Sequence, residues 1–502
     1  MKHRLLIAVA TLAFATVASA QTRYCNPLPM PVGQGGVASG DVSVFFDEGK
    51  YYMFCTGGGA WVSEDMMNWE FHFVDHVPIA PDVVKYNGKY YMSGNDIGLY
   101  VSDSPIGPFT YLGDFQNTDD PKYGWKVPFD SHIFVDDDNT PYLFWPGRGR
   151  TGIYGVELDK NDLTKFVSRP VHLFSFDKTH WFEHMGEHNE YENTAWIEGP
   201  WVTKRNGIYY CAYSCSGTQW KTYATGYYTA TSPLGPYHFA PNNPLMRNTE
   251  GIVTGPAHGS VVIGPDGEYW AFYTVVLSRG GRRIAMDRVE FDEYGNMSIK
   301  VTDTPQPAPG QPLLRSDERK SIPLTVGKIG GMAGGNRVAG ASSEQPGFWG
   351  AYAVDDWSGT IWKPSPEDKM PSLTIELSPA TALNVIDLYK VDGLRILFGN
   401  GERGTGGMFA PVGGLPVYRY KLEGSLDGEH FFTLIDKTDN NEIKDTVYDD
   451  CTPTECRYVR LTVTDWPEGI SLGIIEATVF GKYSSSLAPE DPQENDRFLF
   501  NY

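Results

Sequence analysis

Between residues 41 and 267 one short phrase recurs five times: an acid or histidine, an apolar alternating run, a Gly or Asn turn, then a strand led by paired aromatics. The copies read GDVSVFFDEGKYYMF from Gly40, APDVVKYNGKYYMS from Ala80, FDSHIFVDDDNTPYLFW from Phe129, EGPWVTKRNGIYYCAY from Glu198 and AHGSVVIGPDGEYWAFY from Ala257. Period-two alternation on both sides of a tight turn specifies a β-hairpin. Hairpins that recur every 40 to 60 residues or so specify the radiating sheets of a β-propeller. Five copies predict five blades, with Asp41, Asp82, Asp130, Glu198 and His258 at the axis-facing starts of the innermost strands.

Acids brought to one axis from different blades suit hydrolysis of a glycosidic bond. Inversion needs a protonated carboxyl for the leaving oxygen and a carboxylate for water, roughly 6.5 to 9.5 Å apart. Glu198, among Trp196, Pro200 and Trp201, has the apolar setting that keeps a carboxyl protonated. It is the expected general acid. Asp41, beside Gly40, Ser39 and Ser43, is expected in hydrated surroundings as the base, with Asp130 tuning and orienting the acid. Asp82 reads as a strand-start acid that caps a turn.

These residues resemble glycoside hydrolase family 43, five-bladed propeller enzymes that invert configuration, over about residues 24 to 300. The likeness rests on GDVSV, FDSHIF, EGPW, SEDMMNW, SPLGP and GPDGEYWAFY followed by GRRIAMDRVEFDEYG. It implies Asp41 as base, Asp130 as pKa modulator and Glu198 as acid. It further implies His258 as an axial residue that holds a water or a structural calcium ion, and Arg283, or Arg282 in its place, as a substrate-side arginine. No cofactor is required by the carboxylate chemistry itself. Val42 and Ser131 replace the proline that commonly follows the two aspartates, and Ile79 stands where the family often has Trp. Trp61, Trp145 and Trp220 are the expected replacements for that sugar-stacking platform. The implied activity is exo-acting or debranching on plant-type pentose glycans, α-L-arabinofuranosidase ahead of β-xylosidase. Galactan-directed or endo-arabinanase action and a non-catalytic glycan-binding propeller are the alternatives.

Lys2, His3 and Arg4 ahead of the apolar run Leu5 to Ala18, then Ala18-Ser19-Ala20, read as a signal peptide over 1–20, so an exported protein is expected. Export permits disulfides among the six cysteines: Cys451–Cys456 is the expected pair, Cys25–Cys55 a second option, and Cys211 and Cys215 read as packing residues. A formal charge of −21 argues against nucleic acid and for a neutral carbohydrate partner. No apolar run after the leader is long enough to cross a membrane, and the sequence is silent on oligomeric state.

The catalytic propeller is expected over 21–305 and a Pro- and Gly-rich connection over 306–340. A β-sandwich follows over 341–482 and a solvated tail over 483–502. The phrases LEGSLDGEHFFTL, RYVRLTV and IIEATVFG, with Ala353 to Asp356 and Thr360 to Trp362, resemble a discoidin-like (F5/8 type C, carbohydrate-binding family 32-like) domain. His184 to His188 matches the zinc-protease pattern H-x-x-E-H, but Gly186 and its acidic loop setting argue instead for a pocket rim, with Trp181, Phe182 and Tyr191 facing sugar.

Overall fold

The computed structural model describes residues 22–33, 37–95, 98–115, 129–278, 281–314, 320–326, 338–377, 388–399 and 415–484. The leader at 1–20 and all but the first two residues of the tail lie outside them. The chain is all-β. Five antiparallel sheets follow one another over 43–72, 82–114, 132–174, 196–239 and 257–299, each with its strands in chain order; these are blades I to V. Blade III adds a fifth strand, Val171–Phe174, beside Ile153–Asp159.

Local chemistry explains the blades. The inner hairpins of blades I, II and IV turn at Glu48-Gly49, Asn87-Gly88 and Asn206-Gly207, with positive φ at both positions. That geometry follows the right-handed twist of the flanking strands. A second set of positive φ values recurs once per blade at Asp41 (51°), Ala80 (49°), Asp130 (47°), Gly199 (52°) and His258 (42°). From these positions to the turns at Gly49, Gly88, Asn139, Gly207 and Gly267 the count is eight or nine throughout. The lead register expected from sequence is therefore corrected in two blades. Ala80, not Asp82, and Gly199, not Glu198, are the counterparts of Asp41.

Neighbouring blades are stitched at the strand starts. Val83 N–H donates to Ser43 Oγ (3.3 Å), Ile133 N–H to Asp82 Oδ2 (2.8 Å) and Val44 N–H to Ser260 Oγ (3.0 Å), the last joining blade I to blade V. Asp82 thus caps the next blade's inner strand rather than a turn of its own. The N-terminal segment seals the same seam: Leu28 N–H donates to Ile284 O, and Tyr24 and Asn26 bond the buried carboxylate of Asp287.

Two expected sugar platforms are core residues instead. Trp61 is fully buried with its indole N–H on Pro31 O, and Trp145 is buried between Tyr154 and Phe166 in blade III. Each lies inside a blade, where an aromatic face stabilises packing and meets no solute. The cysteines differ from expectation too: all six are free thiols. Cys451 and Cys456 are both on strand Thr446–Cys456 and both pack against the core of the second unit, with no disulfide between them. Cys25 packs against Tyr448 and Phe480, whereas Cys55 packs in the core of blade I. Cys211 and Cys215 are buried in blade IV.

The described strands between Ile322 and Tyr483 form two antiparallel sheets around one apolar core that includes Leu373, Ile375, Ile396, Leu422, Leu461 and Val479. Strand Ile322–Pro323 pairs with Phe480 and Gly481, so this sandwich begins inside the expected connection. Gln306–Pro307, from the same connection, pairs with Arg23–Tyr24 on the propeller side. The two units are tightly joined. Arg395 of the sandwich is 1% exposed and donates to Asn26 O (2.7 Å) and Asp303 O (2.9 Å), while Arg23 bridges to Asp392 and Asp450. Ile361, Leu397 and Ile475 share an apolar cluster with Ile252, Val275 and Leu277 of the propeller.

Candidate active site

The positive-φ positions ring the axis, and each is fixed by the preceding blade. Asp41 N–H donates to Thr274 Oγ1 (2.8 Å), Ala80 N–H to Thr56 Oγ1 (2.8 Å), Asp130 N–H to Asn95 Oδ1 (2.7 Å) and His258 N–H to Ser214 Oγ (2.9 Å). Every acceptor stands four residues after the second aromatic of a paired-aromatic strand: Tyr52, Tyr91, Tyr210 and Trp270. In blade III that position, counted from Tyr142, is Pro146, which has no polar side chain. The Gly199 N–H donates to the Asp130 carboxylate instead. One break in the repeat thus ties the blade IV lead position to a site acid. Gly199 must be glycine for a second reason, because a Cβ there would stand 2.8 Å from the His258 ring.

Asp41 is held by charge. Arg282 grips it bidentately (Nη1 to Oδ1 2.8 Å, Nη2 to Oδ2 2.7 Å), His258 Nδ1 lies 3.1 Å from Oδ1, and Thr56 Oγ1 donates to Oδ2 (2.6 Å). Burial alone raises its pKa, but the Arg282 and His258 charges overcome this and hold the carboxyl well below the usual range. The expected hydrated setting is therefore corrected. Asp41 is 6% exposed and stays ionised through paired cations rather than through water.

Glu198 is held by the opposite physics. Burial pushes its pKa up, the charges of Asp130 and then Asp41 push further, and His258 and the Tyr223 hydroxyl (3.1 Å) oppose them, leaving it at about 8. Asp130 is buried and its pKa is raised too, by burial first and by the Asp41 charge against the pull of His258. His258, facing all three acids, is raised to about 9 against its own desolvation. Among the described residues no group of three or more His, Cys, Asp or Glu is arranged to hold a metal ion. In the H-x-x-E-H segment, His184 Nε2 bonds Lys178 O.

Of the expected site residues, Asp41, Asp130, Glu198 and His258 come together. Arg283 does not: it pairs with Asp445 of the sandwich (2.8 Å). Adjacent strand residues face opposite ways, so Arg282 reaches the axis and Arg283 the domain interface. Sequence reading ranked these two the wrong way round and missed Thr56, Thr274, Asn95, Ser214 and Tyr223. The first four carried a usable signal in their constant offset from the paired aromatics. Ile79 is 53% exposed, while Trp220 stands at the rim with its ring 6.3 Å from that of Tyr191.

The same stretch of chain has known relatives. Residues 28–297 match the family model described as Glycosyl hydrolases family 43. The chain is 29% identical over 223 residues to a beta-D-galactofuranosidase of Aspergillus niger, covering 42% of this chain and 58% of that protein. It is 26% identical over 265 residues to Xylosidase/arabinosidase 43A of Humicola insolens, covering 45% and 75% of the two. Against a crystal structure of a thermostable family-43 glycoside hydrolase the TM-score is 0.48 at 28% identity, covering 58% of this chain and 100% of the other.

Proposed function

The chain belongs to glycosyl hydrolase family 43 and is a glycosidase that hydrolyses O-glycosyl bonds, and we propose that it works with inversion, releasing α-L-arabinofuranosyl or β-D-xylosyl units from plant-type glycans. The observation that carries this reading is the unequal setting of two carboxyls at one centre: Asp41 is clamped by Arg282 and His258, whereas the Glu198 carboxyl meets the Tyr223 hydroxyl, so the first is held low in pKa and the second high. Glu198 donates its proton to the leaving glycosidic oxygen. A water lying against Asp41 attacks the anomeric carbon from the other face and passes its proton to that carboxylate. A clamped carboxylate is a weak base for free water, but the attacking water becomes acidic as its oxygen bonds to carbon. Asp130 keeps Glu198 protonated through its charge and is oriented by the Gly199 N–H. Arg282, His258 and Thr56 hold the base still.

The Humicola relative, named for xylosidase and arabinosidase action, supports the pentose reading. A second reading, a galactose-containing glycan, is supported by the name of the Aspergillus relative. The leader-like 1–20 supports export, and no described helix is long and apolar enough to cross a membrane. The test is a panel of aryl α-L-arabinofuranosides, β-D-xylosides and galactosides, with the first-formed product anomer followed by NMR. Arabinofuranoside or xyloside cleavage with an inverted anomer is expected; a retained anomer overturns the mechanism.

A further inference from the structure

The catalytic face is not made by the propeller alone. In blade V the second strand ends at Val276 and the third begins at Arg282, the clamp on Asp41, and at the turn between them Leu277 N–H donates to Gly281 O. Within this turn Ser278 N–H donates to Ser358 Oγ of the sandwich (2.9 Å), and Ser358 is 1% exposed. The loop 355–360 of the second unit therefore reaches the edge of the catalytic face at Ser278, four residues from Arg282, the clamp on the base.

That loop is built to present an indole. Trp357 is 55% exposed. Its backbone N–H donates to Asp355 Oδ1 (3.1 Å), and Asp355 Oδ2 accepts from Thr360 Oγ1 (2.8 Å). Asp356 takes φ 60° and its N–H donates to the buried Glu476 (3.1 Å). The ring lies against Gly359, where a Cβ would come within 2.4 Å of it. An exposed Trp on a loop fixed at both ends has little conformational entropy left to lose on binding.

The loop continues an aromatic rim. The segment 247–256 between blades IV and V abuts Asp356 at Gly251, carries Arg247 with its guanidinium 4.8 Å from the Trp181 ring, and reaches the Trp220 backbone at Gly255. Trp181 and Tyr191 are about half exposed. Arg247 also donates to Asn189 Oδ1 (3.2 Å). Exposed indole and phenol faces are therefore set along one segment that runs from blade IV to the sandwich.

We propose that Trp357 is a distal sugar-stacking subsite, by which the sandwich grips the main chain of a neutral polysaccharide whose terminal or branching unit occupies the Asp41–Glu198 centre. The inference rests on the proposed glycan reading of that centre. Its ligand is a chain of pyranose rings, which offer flat C–H faces to an indole and no charge to a strongly acidic protein.

The test separates binding from chemistry. Glu198→Gln enzyme is run by affinity electrophoresis through gels holding soluble arabinoxylan or arabinogalactan, beside the Glu198→Gln/Trp357→Ala and Glu198→Gln/Trp357→Phe proteins. Trp357→Ala is expected to weaken retardation roughly tenfold, and Phe to restore most of it. In the otherwise native enzyme, Trp357→Ala is expected to lower kcat/KM on polymer by a similar factor and leave aryl glycoside hydrolysis unchanged. Equal retardation with and without Trp357 overturns the proposal, as does a parallel loss on aryl glycosides, which marks a distorted rim. No retardation by either polymer, with aryl glycosides still cleaved, overturns the distal subsite and leaves the glycosidase reading standing. Failure on every aryl glycoside strikes that reading, while the gels still judge Trp357.

Discussion

The Asp41 and Glu198 corners of the centre start from the same material, a carboxyl two residues from the first residue of an inner strand, and end in opposite charge states. At Asp41 the neighbouring blade V contributes Arg282 and His258, so a buried carboxyl is ionised. At Glu198 desolvation and the charges of Asp130 and Asp41 outweigh the pull of His258 and the Tyr223 phenol, so the carboxyl keeps its proton to about 8. Burial pushes both the same way. The difference lies in which blade sends a cation. One repeat can therefore hold an acid and a base at one centre.

Four substitutions test this contrast. Glu198→Gln removes the transferable proton, and kcat on alkyl glycosides is expected to fall about 10²- to 10⁴-fold. An aryl glycoside with a good leaving group should lose much less, and initial rates on the two substrates check it. Arg282→Met leaves Asp41 buried beside His258 alone, with an expected stability loss of about 3–5 kcal/mol by chemical denaturation. Because Arg282 lowers the Asp41 pKa, its removal raises it, and the acid limb of the kcat/KM profile should move to higher pH.

Asp130→Asn acts on the other corner. Its charge raises the Glu198 pKa, so neutralising it should bring the alkaline limb, expected near pH 8, down by about one pH unit or more. An unmoved limb would place the tuning elsewhere. Tyr223→Phe has the opposite sign and the smallest size. The phenol donates to ionised Glu198, so its loss should raise the alkaline limb by about half a pH unit. The same pH–rate measurements read both variants.

The propeller was legible because its blades are local: each is a run of consecutive strands with turn residues in fixed places. The acids Asp41, Asp130 and Glu198 and the histidine His258 were legible because they mark strand starts. The lead register slipped in blades II and IV because an acid catches the eye, whereas the repeat is carried by a backbone conformation that Ala80 and Gly199 also adopt. Trp61 and Trp145 were misplaced because an aromatic near a strand end reads the same whether it faces the channel or the next strand of its own blade.

Chain order alone thus specified the blade count, the hairpin turns and the residue types brought to the axis, since these follow from period-two alternation and from φ preferences acting over a few residues. Only the closed ring decided the chemistry. The partners of Asp41 are Thr56 in its own blade and Arg282 and His258 more than 200 residues away, and no local pattern distinguishes Arg282 from Arg283 until the strand's pleat is fixed between blade V and the sandwich. Charge state is a property of distance, and those distances exist only once the first and last blades meet.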